Sequence, residues 1–334
     1  MQDLIFFLRE FMDFLFNWNS RLAFLYLAGT VVLAYVIWCA RGRPNSFVSW
    51  LLPRDVYLHK SNLVDGKIFA FNTLLTMGGA FTAIAATPAV SHFVLTALSG
   101  DPAQGAAAGT SWTTSALATL IIVLTLDFCV YWTHRIHHET QLLWPFHAVH
   151  HSAEVMTPLT VQRKHPMYIV IGIVIRGLIL GSAQGVMLYV FVGHVDVMTI
   201  GSVNAAYFTF NMLGSNLRHS HIWLSYGRVL EHVFISPAQH HIHHSKDKKH
   251  YNKNYGEVFA IWDLMFGTLY VPKTYEDITF GLADANGQLI EQPHPTLRAA
   301  MLHPFVESWE ALWKGTSRDP AVAQNAAANS TPTA

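Results

Sequence analysis

Long apolar runs alternate with charged and histidine-rich segments along this chain. The run at residues 22–40 has nineteen residues without a charge, which is long enough to cross the hydrocarbon core of a bilayer. Further apolar runs lie at residues 68–98, 117–132, 167–192 and 195–213. The last two runs are short or broken by glycines, which indicates a re-entrant hairpin or two tilted helices. The pattern predicts an all-α integral membrane protein with about four transmembrane helices plus a hairpin.

The positions of lysine and arginine predict how these spans are oriented. Residues 41–67 carry five basic side chains, whereas residues 99–112 carry none. Because basic loops stay in the cytoplasm, we expect the first loop inside and the second outside. The span at 117–132 then returns to the cytoplasmic side and leads into the histidine-rich segments. We therefore expect a histidine-rich helical cap on the cytoplasmic face.

The overall composition agrees with a membrane protein. The chain is 51% hydrophobic and 13% charged, whereas soluble domains carry about 25% charged residues. Its formal net charge is zero, so a nucleic-acid partner is not expected. Cys39 and Cys129 lie in apolar runs and are expected to be free thiols. Residues 4–18 are apolar but include three charges and should lie in the membrane interface, without a cleaved signal peptide.

Three histidine clusters with related spacing dominate the candidate chemistry. Two histidines four residues apart on a helix share one face and can converge on one metal ion. Eight clustered imidazoles exceed the needs of one four-coordinate ion and indicate two metal ions. Imidazole suits iron, zinc, copper and nickel, so ligand type alone does not select the metal. The clusters contain His134 and His138, then His147, His150 and His151, then His240, His243 and His244.

The residues around these clusters resemble the fatty acid hydroxylase/sterol desaturase superfamily. The similar segments are DFCVYWTHR at 127–135, HSAE at 151–154, SPAQHHIHHS at 236–245, NYG at 254–256, WD at 262–263 and FGT at 266–268. The resemblance covers roughly residues 65–272 and is closest to alkylglycerol monooxygenase-like bacterial members.

The resemblance implies a non-haem di-iron site, with two iron ions per chain, that uses O2 to attack an unactivated C–H bond of a lipid. It adds His219 to the eight clustered ligands, with His221 as the alternative, and selects His240 over His241 in the third cluster. An external redox protein or a reduced pterin would supply electrons. The expected location is the inner membrane of a bacterium.

Four carboxylates could accept the free N–H of ligand histidines and so fix their tautomers. They are Asp127, Glu139, Glu154 and Asp263. We predict no catalytic residue beyond the metal site. The sequence leaves open whether His165 or His221 also binds metal.

Two other functions compete with a lipid oxygenase. A zinc-dependent membrane hydrolase would be expected to carry a motif such as HExxH, but His138-Glu139 is followed by Thr-Gln-Leu. A metal transporter would place its ligands near the bilayer midplane rather than beyond the span ends. The predicted domains are a membrane and interfacial region at 1–66, a hydroxylase-like domain at 67–272, an extension at 273–315 and a disordered tail at 316–334.

Overall fold

The computed structural model describes residues 23–100, 112–191, 197–212, 214–284 and 286–313. This part of the chain is helical, and its β-structure is limited to two isolated bridges. The predicted interfacial segment at 4–18, most of the 99–112 loop and the predicted tail at 316–334 lie outside the described residues.

The α-helices are numbered here in chain order. They are α1 Phe24–Ala40, α2 Phe47–Leu51, α3 Arg54–Tyr57, α4 Lys60–Met77, α5 Thr87–Ser99, α6 Trp112–Glu139, α7 Trp144–His151, α8 Pro166–Val190, α9 Val197–Met212, α10 Gly227–Leu230, α11 Pro237–His243, α12 Ile261–Met265 and α13 Leu297–Trp313. Short 3₁₀ segments lie at Thr82–Ile84, Pro158–Gln162, Ser215–His219 and Lys248–His250.

Three segments of the described chain are long and apolar enough to cross a membrane: Thr82–Ser99, Trp112–Glu139 and Pro166–Val190. Helix α1 is apolar but shorter. The apolar run at 68–98 is not one helix, because α4 ends at Met77 and Gly79 follows with φ +74°. That left-handed backbone suits glycine and lets the chain turn before α5. The expectation of about four spans plus a hairpin is thus met only in part.

Glycines bring two of these segments into close contact. Gly177, Gly181 and Gly185 recur every four residues along α8 and therefore lie on one face. A Cβ atom at Gly181 would lie 2.8 Å from the Cβ of Val90, and one at Gly185 would lie 2.7 Å from the carbonyl of Ser91. Helix α5 can pack this closely because the α8 face has no side chains there, as is common between membrane helices.

The histidine-bearing elements collect around the end of α6. Helix α7 packs against α6, α11 packs against the 3₁₀ turn Ser215–His219, and α13 packs against α7. The rings of His134 on α6 and His243 on α11 lie 4.4 Å apart. The rings of Phe146 and Phe305 lie 5.1 Å apart across the α7–α13 contact. Ser308 also donates a hydrogen bond to the carbonyl of Leu142. The site therefore lies where the apolar helices meet a folded polar cap.

Candidate metal centre

The first histidine-bearing elements are the last turns of α6 and the whole of α7. His134 and His138 are one turn apart on α6, and both are buried. Helix α7 has Pro145 in its first turn, where a missing N–H costs nothing, and all eight of its side chains are buried. His147 and His151 lie one turn apart on α7 and point to the same side.

Local sequence also explains the start of α11, which carries the third cluster. The Ser236 hydroxyl accepts a hydrogen bond from the backbone N–H of Gln239, and the Gln239 side chain accepts one from the N–H of Ser236. This reciprocal capping box, with Pro237 at the first helical position, fixes where the helix begins. Asn254 then donates to the carbonyl of Gln239 and ties the following loop to the helix.

The structure sorts the nine histidine candidates into two buried groups, with the ligand atoms of each group within 4.8 Å of one another. The first group contains His134, His138, His147, His151 and His243. The second group contains His150, His219, His240 and His244. All nine predicted ligands are thus brought together, while metal binding by them stays a prediction.

Distances within the groups suit shared metal ions. The Nε2 atoms of His147 and His151 are 3.2 Å apart, and those of His240 and His244 are 3.1 Å apart. Two nitrogens bound at roughly 2.1 Å to one ion would be separated by roughly 3.0–3.4 Å. Two facing lone pairs repel unless a proton or a metal cation lies between them. Burial and neighbouring histidines lower the pKa of His240 and His244 well below the usual range, which disfavours the proton.

Hydrogen bonds to the backbone orient two of the imidazoles. Nδ1 of His134 lies 2.8 Å from the carbonyl of Tyr255, and Nδ1 of His243 lies 2.8 Å from the carbonyl of Lys253. A carbonyl can only accept, so each Nδ1 carries the proton and each Nε2 keeps its lone pair. Both Nε2 atoms are buried without a hydrogen-bond partner in the described structure. This donor set fits a metal ion.

The expected contact between Asp263 and a ligand histidine must be corrected. Asp263 accepts hydrogen bonds from the N–H groups of Tyr255 and Gly256 at 2.8 Å and from the Thr268 hydroxyl at 2.6 Å. It therefore holds the loop whose Tyr255 carbonyl orients His134. Burial raises the pKa of Asp263, and these hydrogen bonds oppose that rise.

The other three carboxylates also bind elsewhere. Asp127 accepts from the backbone of Val258 and Phe259 and from the indole of Trp262. Glu139 pairs with Arg135 at 3.0 Å, and Glu154 accepts from Gln292 at 3.1 Å. The expectation was wrong in this detail because backbone carbonyls, which carry no recognisable sequence pattern, accept the protons of His134 and His243.

Three other histidines have protein partners instead. The Nε2 atom of His221 lies 2.8 Å from the carbonyl of Trp50, and that of His165 lies 3.2 Å from the carbonyl of Met301. The Nε2 atom of His241 lies 3.1 Å from the carbonyl of Leu217. None of the three belongs to the two groups found among the described residues.

Two tyrosines line the centre without having been predicted from the sequence. The ring of Tyr168 stacks on His147 with centroids 4.8 Å apart, and Tyr255 lies 5.1 Å from His138. Tyr255 is part of the NYG segment, so the resemblance contained a signal for it. No spacing pattern indicated Tyr168.

A buried arginine connects α7 to α4. Arg163 donates to Asp65 at 2.8 Å, to the carbonyl of Val149 at 2.7 Å and to the Ser152 hydroxyl at 2.9 Å. Both members of the Arg163–Asp65 ion pair are fully buried. The pair therefore fixes the helix that carries His147, His150 and His151.

A small cavity at the histidines opens towards the membrane helices. Its volume is about 60 Å³, and His134, His147 and His219 are among its lining residues. A larger cavity of about 280 Å³ lies between α6 and α8. Both cavities are bordered by Val130, Lys164, Tyr168 and Glu257.

Buried imidazoles beside apolar helices define a membrane-associated, histidine-rich protein with two candidate metal sites. The chain belongs to the fatty acid hydroxylase/sterol desaturase superfamily: residues 119–268 match the family model described as fatty acid hydroxylase. It is 31% identical over 244 residues to the ornithine lipid hydroxylase OlsE of Rhizobium tropici, covering 70% of this chain and 67% of that protein.

Two further relatives show the range of the family. The chain is 26% identical to an alkylglycerol monooxygenase of Danio rerio, covering 62% of this chain and 44% of that protein. It is 27% identical to the Delta(7)-sterol 5(6)-desaturase ERG3A of Gibberella zeae, covering 46% of this chain and 38% of that protein. The chain spans less than half the length of the alkylglycerol monooxygenases that it matches. No solved structure matches it.

Proposed function

We propose that this protein is a membrane-bound non-haem di-iron oxygenase that hydroxylates or desaturates a lipid with O2. The observation that carries this proposal is the pair of buried imidazole groups beside a cavity that extends between apolar helices. The names of the relatives support it, because a monooxygenase, a lipid hydroxylase and a sterol desaturase all oxidise lipids.

In this proposal each histidine group would hold one iron ion, and the two ions would supply the activation of O2. Imidazole also binds zinc, copper and nickel. We choose iron because the chain belongs to a family of non-haem iron enzymes. The protein keeps the histidine ligands neutral, correctly oriented and shielded from water. The carbonyls of Tyr255 and Lys253 fix two imidazole tautomers, and burial of the histidines excludes water from the centre.

The oxidation needs electrons from outside the chain, and we propose an external redox protein or a reduced pterin as their source. The proposed location is the inner membrane of a bacterium, with the histidine groups on the cytoplasmic side. The basic segment at residues 41–67 and the bacterial relative support this orientation and location.

Metal analysis and lipid analysis test the proposal together. Protein purified without oxygen should contain close to two iron ions, and the variant His147→Ala should contain less. His303→Ala is a matched control, because His303 is exposed and outside both groups. A strain lacking the gene should lose an oxidised lipid that reappears with the wild-type gene and not with His147→Ala. Stoichiometric zinc in protein from active, iron-replete cells would contradict the iron assignment, and an unchanged lipid profile would contradict the oxygenase.

A further inference from the structure

Arg176 places a positive charge midway along α8, one of the segments able to cross a membrane, and its side chain is exposed. It is the eleventh residue of the helix, so its Cα lies roughly 15 Å from the end at Pro166. No hydrogen bond or ion pair joins Arg176 to another described residue. A charge at such a depth is costly unless it is paired or faces a polar cavity, and it commonly marks a functional site.

The cavity between α6 and α8 is the polar space that Arg176 faces. Its wall includes Gly172 and Ile173, about one turn from Arg176 towards the metal centre. Side chains on a helix lean towards its N-terminal end, so the guanidinium is directed along this wall. Lys164 and Glu257 line the same cavity. The charged residues of its lining are thus two cations and one carboxylate, which leaves an excess of positive charge.

The smaller cavity at the histidines adjoins this one, because Lys164, Tyr168 and Glu257 line both. Lys164 lies 5.9 Å from the centre of the Tyr168 ring, and that ring stacks on His147. Tyr168 and Arg176 are eight residues apart on α8, which corresponds to roughly 12 Å along the helix. A molecule with an acidic group at Arg176 can therefore extend past Tyr168 towards the imidazoles.

We propose that Arg176 binds an anionic group, a carboxylate or a phosphate, of the lipid substrate. The planar guanidinium suits either group because it can donate two parallel hydrogen bonds. Holding the acidic group at a fixed distance from the histidines determines which carbon of the lipid reaches the metal centre. This assignment rests on the proposed function, since it takes the lipid to be the molecule oxidised there.

A binding assay tests this assignment without turnover. The full-length protein in an uncharged detergent is titrated with oleoyl-lysophosphatidate and with monooleoylglycerol, which share a chain and differ in the phosphate. We expect the wild type to bind the phosphate lipid at least about tenfold more tightly. Arg176→Gln should lose this preference, and Arg176→Lys should keep part of it. Arg228→Gln is the control, because Arg228 is exposed outside the cavity.

Three results would overturn the assignment. They are no preference in the wild type, an equal loss in Arg228→Gln, and competition by inorganic phosphate as effective as that by the phosphate lipid. The last result would indicate a site for a free anion. Because binding needs no oxidation, these failures leave the oxygenase proposal standing, and the iron and lipid analyses test that proposal separately.

A second and independent feature is the outward face of α13. Its large apolar side chains recur at helical spacing and are exposed, whereas the residues on its inward face are small. The exposed set comprises Leu302, Phe305, Val306, Trp309, Leu312 and Trp313. The helix lies at the start of the α8 span, because His165 bonds to the carbonyl of Met301 and its ring lies 5.3 Å from Phe305. We infer that α13 lies in the membrane interface with this face in the lipid.

Site-specific fluorescence tests this inference in the full-length protein reconstituted into phosphatidylcholine vesicles. With Cys39 and Cys129 replaced by serine, a fluorophore on Trp309→Cys should be quenched strongly by brominated phosphatidylcholine. His303→Cys, exposed about 120° further round the helix, should be quenched less. Equal quenching at both positions would overturn the inference. Energy transfer between protein copies at Trp309→Cys without lipid quenching would indicate a protein contact and overturn it as well.

Discussion

The buried Arg163–Asp65 pair gives the sharpest test of how the fold supports the centre. The two side chains are 2.8 Å apart and both are fully buried. Arg163 also donates to the carbonyl of Val149, on the helix α7 that carries three of the candidate ligands. It donates as well to the hydroxyl of Ser152, which follows that helix directly. Arg163→Met removes one charge and leaves the Asp65 carboxylate without its counter-ion.

The size of the effect follows from desolvation. Removing one partner of a buried ion pair costs about 3–5 kcal/mol, because the remaining charge stays buried. Burial raises the pKa of Asp65, and the charge of Arg163 opposes that rise, so the carboxylate depends on its partner. Asp65→Asn should also destabilise the protein, since it leaves Arg163 charged. The double variant removes both charges and should cost less than the sum of the single variants by at least about 1.5 kcal/mol.

Chemical unfolding in a mild detergent measures these free energies, and iron content measures the effect on the centre. We expect Arg163→Met to lose bound iron as well as stability, because α7 is no longer held against α4. Arg298→Met is a suitable control, since Arg298 is exposed and should change stability by less than about 0.5 kcal/mol. If the costs of Arg163→Met and Asp65→Asn simply added in the double variant, the electrostatic reasoning would be refuted.

Three further predictions concern single side chains. His240→Ala should lower the iron content, whereas His241→Ala should keep most of it, because His241 bonds to a backbone carbonyl. Elemental analysis of both variants measures this, and the reverse result would contradict the grouping. Burial lowers the pKa of His165 to about 4 from its ordinary 6.5, so unfolding takes up a proton between these values and stability falls as the pH falls. His165→Asn can still cap α8 but cannot take up this proton. It should therefore reduce the slope of the unfolding free energy against pH by up to about 1.4 kcal/mol per pH unit, and an unchanged slope would contradict this. Gly181→Ala should destabilise by about 1–3 kcal/mol through its contact with α5. Gly66→Ala, with its nearest neighbour at 3.9 Å, should be neutral or slightly stabilising, and equal losses in the two variants would argue against close packing.

The histidine spacing predicted which imidazoles come together but not how they divide. The second cluster supplies His147 and His151 to one group and His150 to the other. On α7 the first two are one turn apart, while His150 points about 60° to one side of His147. Its partner His219 lies 69 residues further along the chain. That distant contact depends on tertiary structure, which local spacing does not encode.

Hydrophobic patterning predicted the long helices better than the breaks between them. The run at 117–132 lies within α6, and most of the run at 167–192 lies within α8. The run at 68–98 divides at Gly78 and Gly79, because two adjacent glycines permit a turn that apolar content alone does not reveal. The hydrogen bonds of Asp127, Asp263 and Arg163 could not be predicted from the sequence either, since each joins residues brought together only by folding.

The division of the histidines has a consequence for biosynthesis. Four of the five members of the first group lie within residues 134–151, on two consecutive helices, so most of that group leaves the ribosome together. The second group has only His150 in that stretch, and neither group can be complete until the chain has been made through His243 or His244. Nascent chains cut after residue 151 should therefore present most of one group and a single residue of the other. The first group is therefore expected to bring most of its members together earlier in synthesis than the second.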